Sequence, residues 1–208
     1  MNRVKHMNSK VLQEIKDGGG GLLDILMGKI VLRLIRLLLK CKRNRYDRIV
    51  SLGDLFIDRN EKAKLLGFGE GATIYDSCLV IGDVKVGRYT WVGPSTILDG
   101  SGGLEIGDHC NIASGAQIYS HETIYWVLSG GKMEYTRTKT VIGDCCYIGP
   151  NTIVSKGVRI GNHCLVGANS LVTSDLEDYS IAAGSPCRII GKVKIDEKGN
   201  VELLMNRD

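Results

Sequence analysis

The sequence predicts a mainly β protein, a parallel β-solenoid behind an N-terminal helical arm. Three observations predict it. An aliphatic residue recurs at every sixth position from Ile74, and a small residue stands four places after it. Upstream, a basic, leucine-rich stretch has helical period. The 208 residues suffice for one domain with a modest appendage, and 43% hydrophobic against 24% charged residues excludes wholesale disorder.

Residues 1–48 are the arm. They hold 12 Lys/Arg against 4 Asp/Glu, while residues 49–208 hold 15 against 19, so a net +4 divides into +8 and −4. From Leu22 nearly everything is aliphatic except Lys29, Arg33, Arg36 and Lys40, whose spacing gathers them on one helical face. Four internal cations argue against a membrane span. A cationic stripe beside a broad apolar face predicts peripheral contact of 22–48 with an anionic membrane surface, Lys42, Arg43, Arg45 and Arg48 extending the charge. The same pattern suits packing on the solenoid or on a neighbouring subunit, because solenoid ends need covers. Nucleic acid is not expected as a partner, since the body is acidic and Tyr46 is the arm's one aromatic.

After a connector over 49–73, the hexads run Ile74, Val80, Val86, Val92 and Leu98. The glycine-rich insertion Gly100-Ser101-Gly102-Gly103 shifts their phase by two, and they resume as Ile106, Ile112, Ile118 and Ile124. A third run is Ile142, Ile148, Val154, Ile160, Val166 and Val172. Neither an amphipathic helix nor an alternating strand has this period. Glycine follows the aliphatic at 87, 93, 107, 143, 149, 161 and 167, which suits turns needing an unhindered backbone. Cys78, Cys110, Cys146 and Cys164 occupy the small inward slot and read as packing residues. The remaining thiols, an odd total of seven and no legible signal peptide predict a cytoplasmic chain with reduced cysteines. Cys145-Cys146 lacks zinc-ligand spacing, so no metal site is expected there.

The repeat fails between Ile124 and Ile142, where its aliphatic slots fall on Gly130 and Thr136. Residues 125–141 therefore read as an excursion loop. Just before it, Glu122 occupies a slot that should be small and inward, beside His121. His109, His121 and His163 all sit three places after the aliphatic, facing outward, but only His121 adjoins a rule-breaking carboxylate and a projecting loop. Sites concentrate where local rules fail, so His121 is the candidate catalytic residue. A neutral imidazole accepts a proton near neutral pH.

The blocks I-G-D-H-C-N, I-G-D-C-C-Y-I-G-P-N-T-I, I-G-N-H-C-L-V-G-A-N-S-L-V and A-A-G-S-P-C-R-I-I-G resemble those of the hexapeptide-repeat acyltransferases, over residues 70–191. The resemblance implies a left-handed parallel β-helix over 74–191, three hexads per coil, a homotrimer, and a C-terminal tail over 192–208. It further implies acetyl-CoA as co-substrate and direct O-acetylation of a sugar or glycan acceptor, as in surface-polysaccharide biosynthesis, with His121 as the base. Amino-sugar N-acetylation and drug acetylation fit the same likeness. Ser95 matches an acceptor-contacting Asn of the galactoside acetyltransferases, and Glu122 and Trp126 are further acceptor-binding candidates. The positions matching the acetyl-CoA site are Pro150, Ala168, Thr173, Ser174 and Arg188. Ser174 stands where sugar acetyltransferases usually carry Lys, and Lys192 or Lys194 is the candidate substitute. The β-helical carbonic anhydrases share the repeat but require closely paired histidines, and position 168, five after His163, is Ala. A non-catalytic scaffold is the remaining alternative, which absence of turnover with any acceptor would favour.

Overall fold

The computed structural model describes residues 2–206, with side chains from Lys10; Met1, Arg207 and Asp208, the ends of the expected arm and tail, lie outside the described residues. The chain divides into two compact units after Phe56.

In the first unit, α1 (Asn2–Asp17) and α2 (Leu22–Tyr46) form a helical hairpin, followed by the short α3 (Leu52–Phe56). The Asp24 carboxylate accepts the Gly21 N–H at 2.8 Å, satisfying one of the orphan donors where α2 begins. Gly28 lets α1 approach, since a Cβ there would lie 2.9 Å from Ile15 Cδ1. Asp47, in the left-handed region at φ 48°, ends α2. No helix among the described residues is long and apolar enough to cross a membrane.

The second unit opens with α4 (Arg59–Leu65), whose N-cap Asp58 accepts from the Asn60 and Glu61 N–H groups. Ala63 and Phe68 enter the core, and Lys62 Nζ donates to the Tyr75, Asp76 and Cys78 carbonyls of the first coil. The open end of the solenoid is thus covered by α4.

The first coils contain β1 (Thr73–Ile74), β2 (Leu79–Val86), β3 (Trp91–Val92), β4 (Ile97–Ile106), β5 (Asn111–Ile112) and β6 (Gln117–Ile118). The excursion contributes β7 (His121–Glu122), α5 (Ile124–Leu128) and β8 (Thr136–Arg137). The later coils use β9 (Thr140–Ile142), β10 (Tyr147–Ile148), β11 (Ile153–Val154), β12 (Arg159–Ile160), β13 (Leu165–Val166) and β14 (Leu171–Val172). β15 (Ser180–Ala183), β16 (Arg188–Ile195) and β17 (Val201–Met205) complete the chain. The solenoid strands pair in parallel. Thr73 faces Trp91, and Tyr147 faces Leu165, so a regular coil takes eighteen residues, three hexads. Trp91 pairs with Asn111, twenty residues on, which absorbs the phase shift. Asn111 pairs with Tyr147, thirty-six on, because that coil contains the excursion.

The aliphatic slots line the core as the hexads predict, with two departures. Val80 is only half-buried, and Ile124 is 53% exposed in α5, because the chain has left the coil at His121 before reaching it. The excursion accordingly begins four residues before the expected 125 and rejoins the sheet at Thr140. The segment from 192, expected as a tail, contains the end of β16 and all of β17, an antiparallel extension of β15.

The I-G-D and I-G-N blocks have a common structural basis. Asp108 accepts the Arg88 N–H at 2.6 Å, Asp144 that of Asp108 at 2.7 Å, Asn162 that of Asp144 at 2.9 Å, and Asp178 that of Asn162 at 2.7 Å. One carboxylate or amide per coil therefore ties each turn to the one before. Gly107 and Gly161 are not in the left-handed region; a Cβ on either would lie 2.2–2.3 Å from the ladder oxygen of the next coil. The need is space. The left-handed positions are instead the third after the aliphatic, among them Tyr89, His109, Cys145 and His163.

Candidate active site

His121 occupies the turn slot, three places after Ile118. His109 and His163 in that slot adopt φ 55° and turn the chain. His121 stays extended, as the first residue of β7, and pairs antiparallel with β8: His121 opposite Arg137 and Glu122 opposite Thr136. A failed turn thus launches the excursion and sets the imidazole at its base.

Beneath it lies Asp99, one coil earlier and 1% exposed. One carboxylate oxygen contacts His121 Nδ1, and the other accepts the Ser101 N–H at 2.8 Å. The Ser120 hydroxyl donates to the Asp99 carbonyl at 2.6 Å and accepts the Gly102 N–H at 2.8 Å. The glycine-rich insertion makes this packing possible: a Cβ on Gly100 would lie 2.2 Å from the Asp83 carbonyl oxygen, and one on Gly102 2.3 Å from that of Ser120. A buried carboxylate at Nδ1 selects the tautomer protonated there and leaves Nε2 as the acceptor. The imidazole side chain is 31% exposed, so a ligand can reach it.

Glu122 does not touch His121 with any hydrogen bond found in the structure. Its Oε1 accepts the Thr136 hydroxyl at 3.0 Å and pairs with Lys156 Nζ at 3.2 Å, pinning the base of the excursion. Trp126, on α5, lines a cavity of about 390 Å³ with Lys132, Met133, Tyr135 and Arg137.

The candidate acetyl-CoA residues separate into two groups. Thr173, Ser174 and Arg188 line one cavity of about 300 Å³, with Asp175 and Cys187. Pro150 and Ala168 lie apart from it, in successive turns after the strands β10 and β13, where the Asn169 N–H donates to the Pro150 carbonyl at 2.9 Å. Ser95 adopts φ 59° in the turn after β3, on the same edge as Pro150 and Ala168. That edge precedes the sheet face of β6, whereas His121 follows it, so Ser95 and His121 occupy different edges within one chain. Lys192 Nζ lies 3.7 Å from Glu177 and Lys194 Nζ 3.7 Å from Glu202.

The cysteine slots behave as packing positions. Cys110, Cys146 and Cys164 donate to the carbonyls of Gly143, Gly161 and Glu177 at 3.0–3.1 Å. Neighbouring thiols and burial push the Cys146 thiol far up, away from thiolate chemistry. Burial likewise raises Cys145, the outward cysteine. Among the described residues no cluster of three or more His, Cys, Asp or Glu is arranged to hold a metal ion.

Residues 139–174 match the bacterial transferase hexapeptide family of six repeats. The chain is 29% identical over 118 residues to galactoside O-acetyltransferase of Escherichia coli strain K12, covering 56% of this chain and 57% of that one. It is 41% identical over 66 residues to a chloramphenicol acetyltransferase of Klebsiella aerogenes, covering 32% and 31%. The chain thus spans little more than half the length of the first of these relatives and about a third of the second. Among solved structures it resembles AntD, an N-acyltransferase from Bacillus cereus in complex with dTDP and 3-hydroxybutyryl-CoA, with TM-score 0.54 and 28% identity, covering 60% of this chain and 71% of that one. Hexad period, eighteen-residue coils and these likenesses agree, and the chain is similar in repeat and fold to the hexapeptide-repeat, β-solenoid acyltransferases.

Proposed function

We propose that the protein is a CoA-dependent acetyltransferase that acylates a sugar hydroxyl, with His121 as general base. The observation that carries this reading is the Asp99–His121 pair at the base of the excursion. Nε2 takes the proton of the acceptor hydroxyl while its oxygen attacks the thioester carbonyl of acetyl-CoA. The C–S bond of the tetrahedral adduct then breaks, and the departing thiolate takes up the proton from the imidazolium, leaving ester and free CoA. No acyl-enzyme is required, which suits a chain whose cysteines are mainly packing residues.

Thr173, Ser174 and Arg188 bind the co-substrate in their shared cavity, the guanidinium serving a CoA phosphate. Ser95, Pro150 and Ala168 lie on another edge of the solenoid, so they complete the site only across a subunit boundary. Assembly as a homotrimer supplies that boundary, and sedimentation at working concentration tests it. Trp126 stacks on the acceptor, and the enzyme serves surface-polysaccharide synthesis at the cytoplasmic face of a membrane.

The test is release of free thiol from acetyl-CoA over a panel of sugars, amino sugars and chloramphenicol. His121→Ala should lower kcat by about 10²–10⁴-fold, the span of general base catalysis. Unchanged turnover in that variant would assign the base elsewhere. A second reading, transfer to a sugar amine, is supported by the likeness to AntD, described as an N-acyltransferase. The same base serves it, and preference for the amino sugars in the panel would select it.

A further inference from the structure

We infer that β17 is an assembly strand, whose free edge pairs antiparallel with β17 of a second copy of this chain about a twofold axis at Leu203.

β17 is the last strand of the eight-stranded sheet, so one of its edges is unpaired among the described residues. The hydrogen bonds around it show which atoms lie on that edge. The Asp196 N–H donates to the Asn200 carbonyl at 3.1 Å, and the Asn206 N–H to the Ile190 carbonyl at 2.8 Å. Bonded pairs in an antiparallel ladder recur at every second residue, so Glu202 with Lys194 and Leu204 with Lys192 are the bonded pairs between β17 and β16. The Val193 N–H, one place out of that series, donates at 2.7 Å to Tyr179 on the other side of β16. Val201, Leu203 and Met205 therefore turn their N–H and C=O groups to the free edge. Edge strands that must stay unpaired are blunted by proline, lysine or a bulge. β17 reads V-E-L-L-M and keeps continuous register with β16, and its one charge, Glu202, lies 3.7 Å from Lys194.

The strand is complementary to itself. About a twofold axis at Leu203, that residue faces its own mate and Val201 faces Met205 of the second copy. All three belong to the set turned toward the edge, so each facing pair exchanges both N–H···O bonds. Their side chains share one face with Val193 and Ile195 of β16 and are 51–64% exposed. Pairing joins this apolar stripe to its copy. On the opposite face Glu202 meets Leu204, so no carboxylate faces another. An axis at Val201 or Met205 would pair only the strand ends. In the homotrimer proposed above, the threefold axis brings three such edges to one end, and the twofold closes two trimers into a hexamer.

Sedimentation of the intact protein over a range of concentrations tests the pairing. The limiting mass should correspond to an even number of chains. Val201→Lys with Met205→Lys sets lysine opposite lysine at both ends of the pairing and should raise the dissociation constant at least about tenfold, halving the mass. Val201→Lys with Met205→Glu sets lysine opposite glutamate at the same two points and should recover the larger mass. Within one chain these positions are ~13 Å apart, so the reversal reports contact between two chains. Thermal melting followed by circular dichroism checks that both variants keep the parent's fold. A limiting mass of one chain or one trimer for the parent would overturn the proposal. So would a parent mass that the paired lysines leave unchanged, or equal dissociation of the two double variants. A larger mass traced to a foreign polypeptide would also overturn it, by giving the edge to a different chain.

Discussion

Asp99 is the residue on which the proposed chemistry depends and the one that sequence reasoning missed. His121 was legible because its neighbours break the hexad rule. Asp99 precedes a run of glycines and reads as an ordinary turn, and only the coil stacking brings it 22 positions forward onto the imidazole. The signal that could have found it is the insertion itself, whose glycines are needed for close backbone approach around Asp99 and Ser120. Asp99→Asn tests its role. The amide keeps the volume and can still accept from the Ser101 N–H, but it no longer selects one imidazole tautomer. Activity should fall by about tenfold or more in kcat, up to the span of general base catalysis, while the KM for acetyl-CoA stays level. Native kcat in Asp99→Asn would remove the aspartate from the mechanism. Glu122 runs the other way: it stood out in the sequence, yet its carboxylate is taken by Thr136 and Lys156.

At the level of the repeating element, the hexads foretold the core because one inward residue per strand must be large and one per turn small. What they could not tell was why glycine follows the aliphatic. That depends on a side chain one coil away, and no local pattern contains it. Gly107→Ala would place a Cβ 2.2 Å from Asp144 Oδ1 and 2.8 Å from its backbone nitrogen. Overpacking of this kind costs about 1–3 kcal/mol, so thermal unfolding should begin several degrees lower. An unchanged melting curve would show that the ladder yields at no cost. The ladder also predicts an acid limb. Hydrogen bonds from the Arg88 guanidinium, then from its backbone N–H, hold the Asp108 carboxyl below its ordinary range. A depressed carboxyl contributes stability above its unfolded value of ~3.9 and loses it as pH falls toward the folded one. Asp108→Asn retains an oxygen for the Arg88 N–H but removes the charge, so the melting temperature should depend less steeply on pH below about 4. A slope identical to the parent's would place the acid sensitivity elsewhere. Ile124 shows the limit of the periodic reading: its phase is correct, but the turn that would return it to the core never forms at His121.

Across the whole molecule, the division of charge into a basic arm and an acidic body corresponds to two compact units. Within the second unit, α4 and the turn after it cover the first coil through Lys62, Ala63 and Phe68. The long helix α2 has no buried residue. Leu23, Leu26, Met27, Ile30, Leu34 and Leu37 share one of its faces and are 46–71% exposed, an apolar stripe bordered by Lys29, Arg33 and Lys40. Such a helix gains from apolar insertion and from attraction to anionic headgroups together, so the two contributions must be separated by experiment. Each Lys or Arg near an anionic surface contributes about 1 kcal/mol, and salt screens that attraction. The intact protein should therefore float with phosphatidylserine-containing vesicles at low ionic strength and be released as salt rises. Charge reversal at Lys29, Arg33 and Lys40 together should cut the bound fraction by at least about tenfold without lowering thiol release on a soluble acceptor. Equal flotation on neutral phosphatidylcholine vesicles would make the contact purely apolar. Failure to float on anionic vesicles at any salt concentration would return the exposed leucine stripe to a protein partner, with the proposed homotrimer the first assembly to examine.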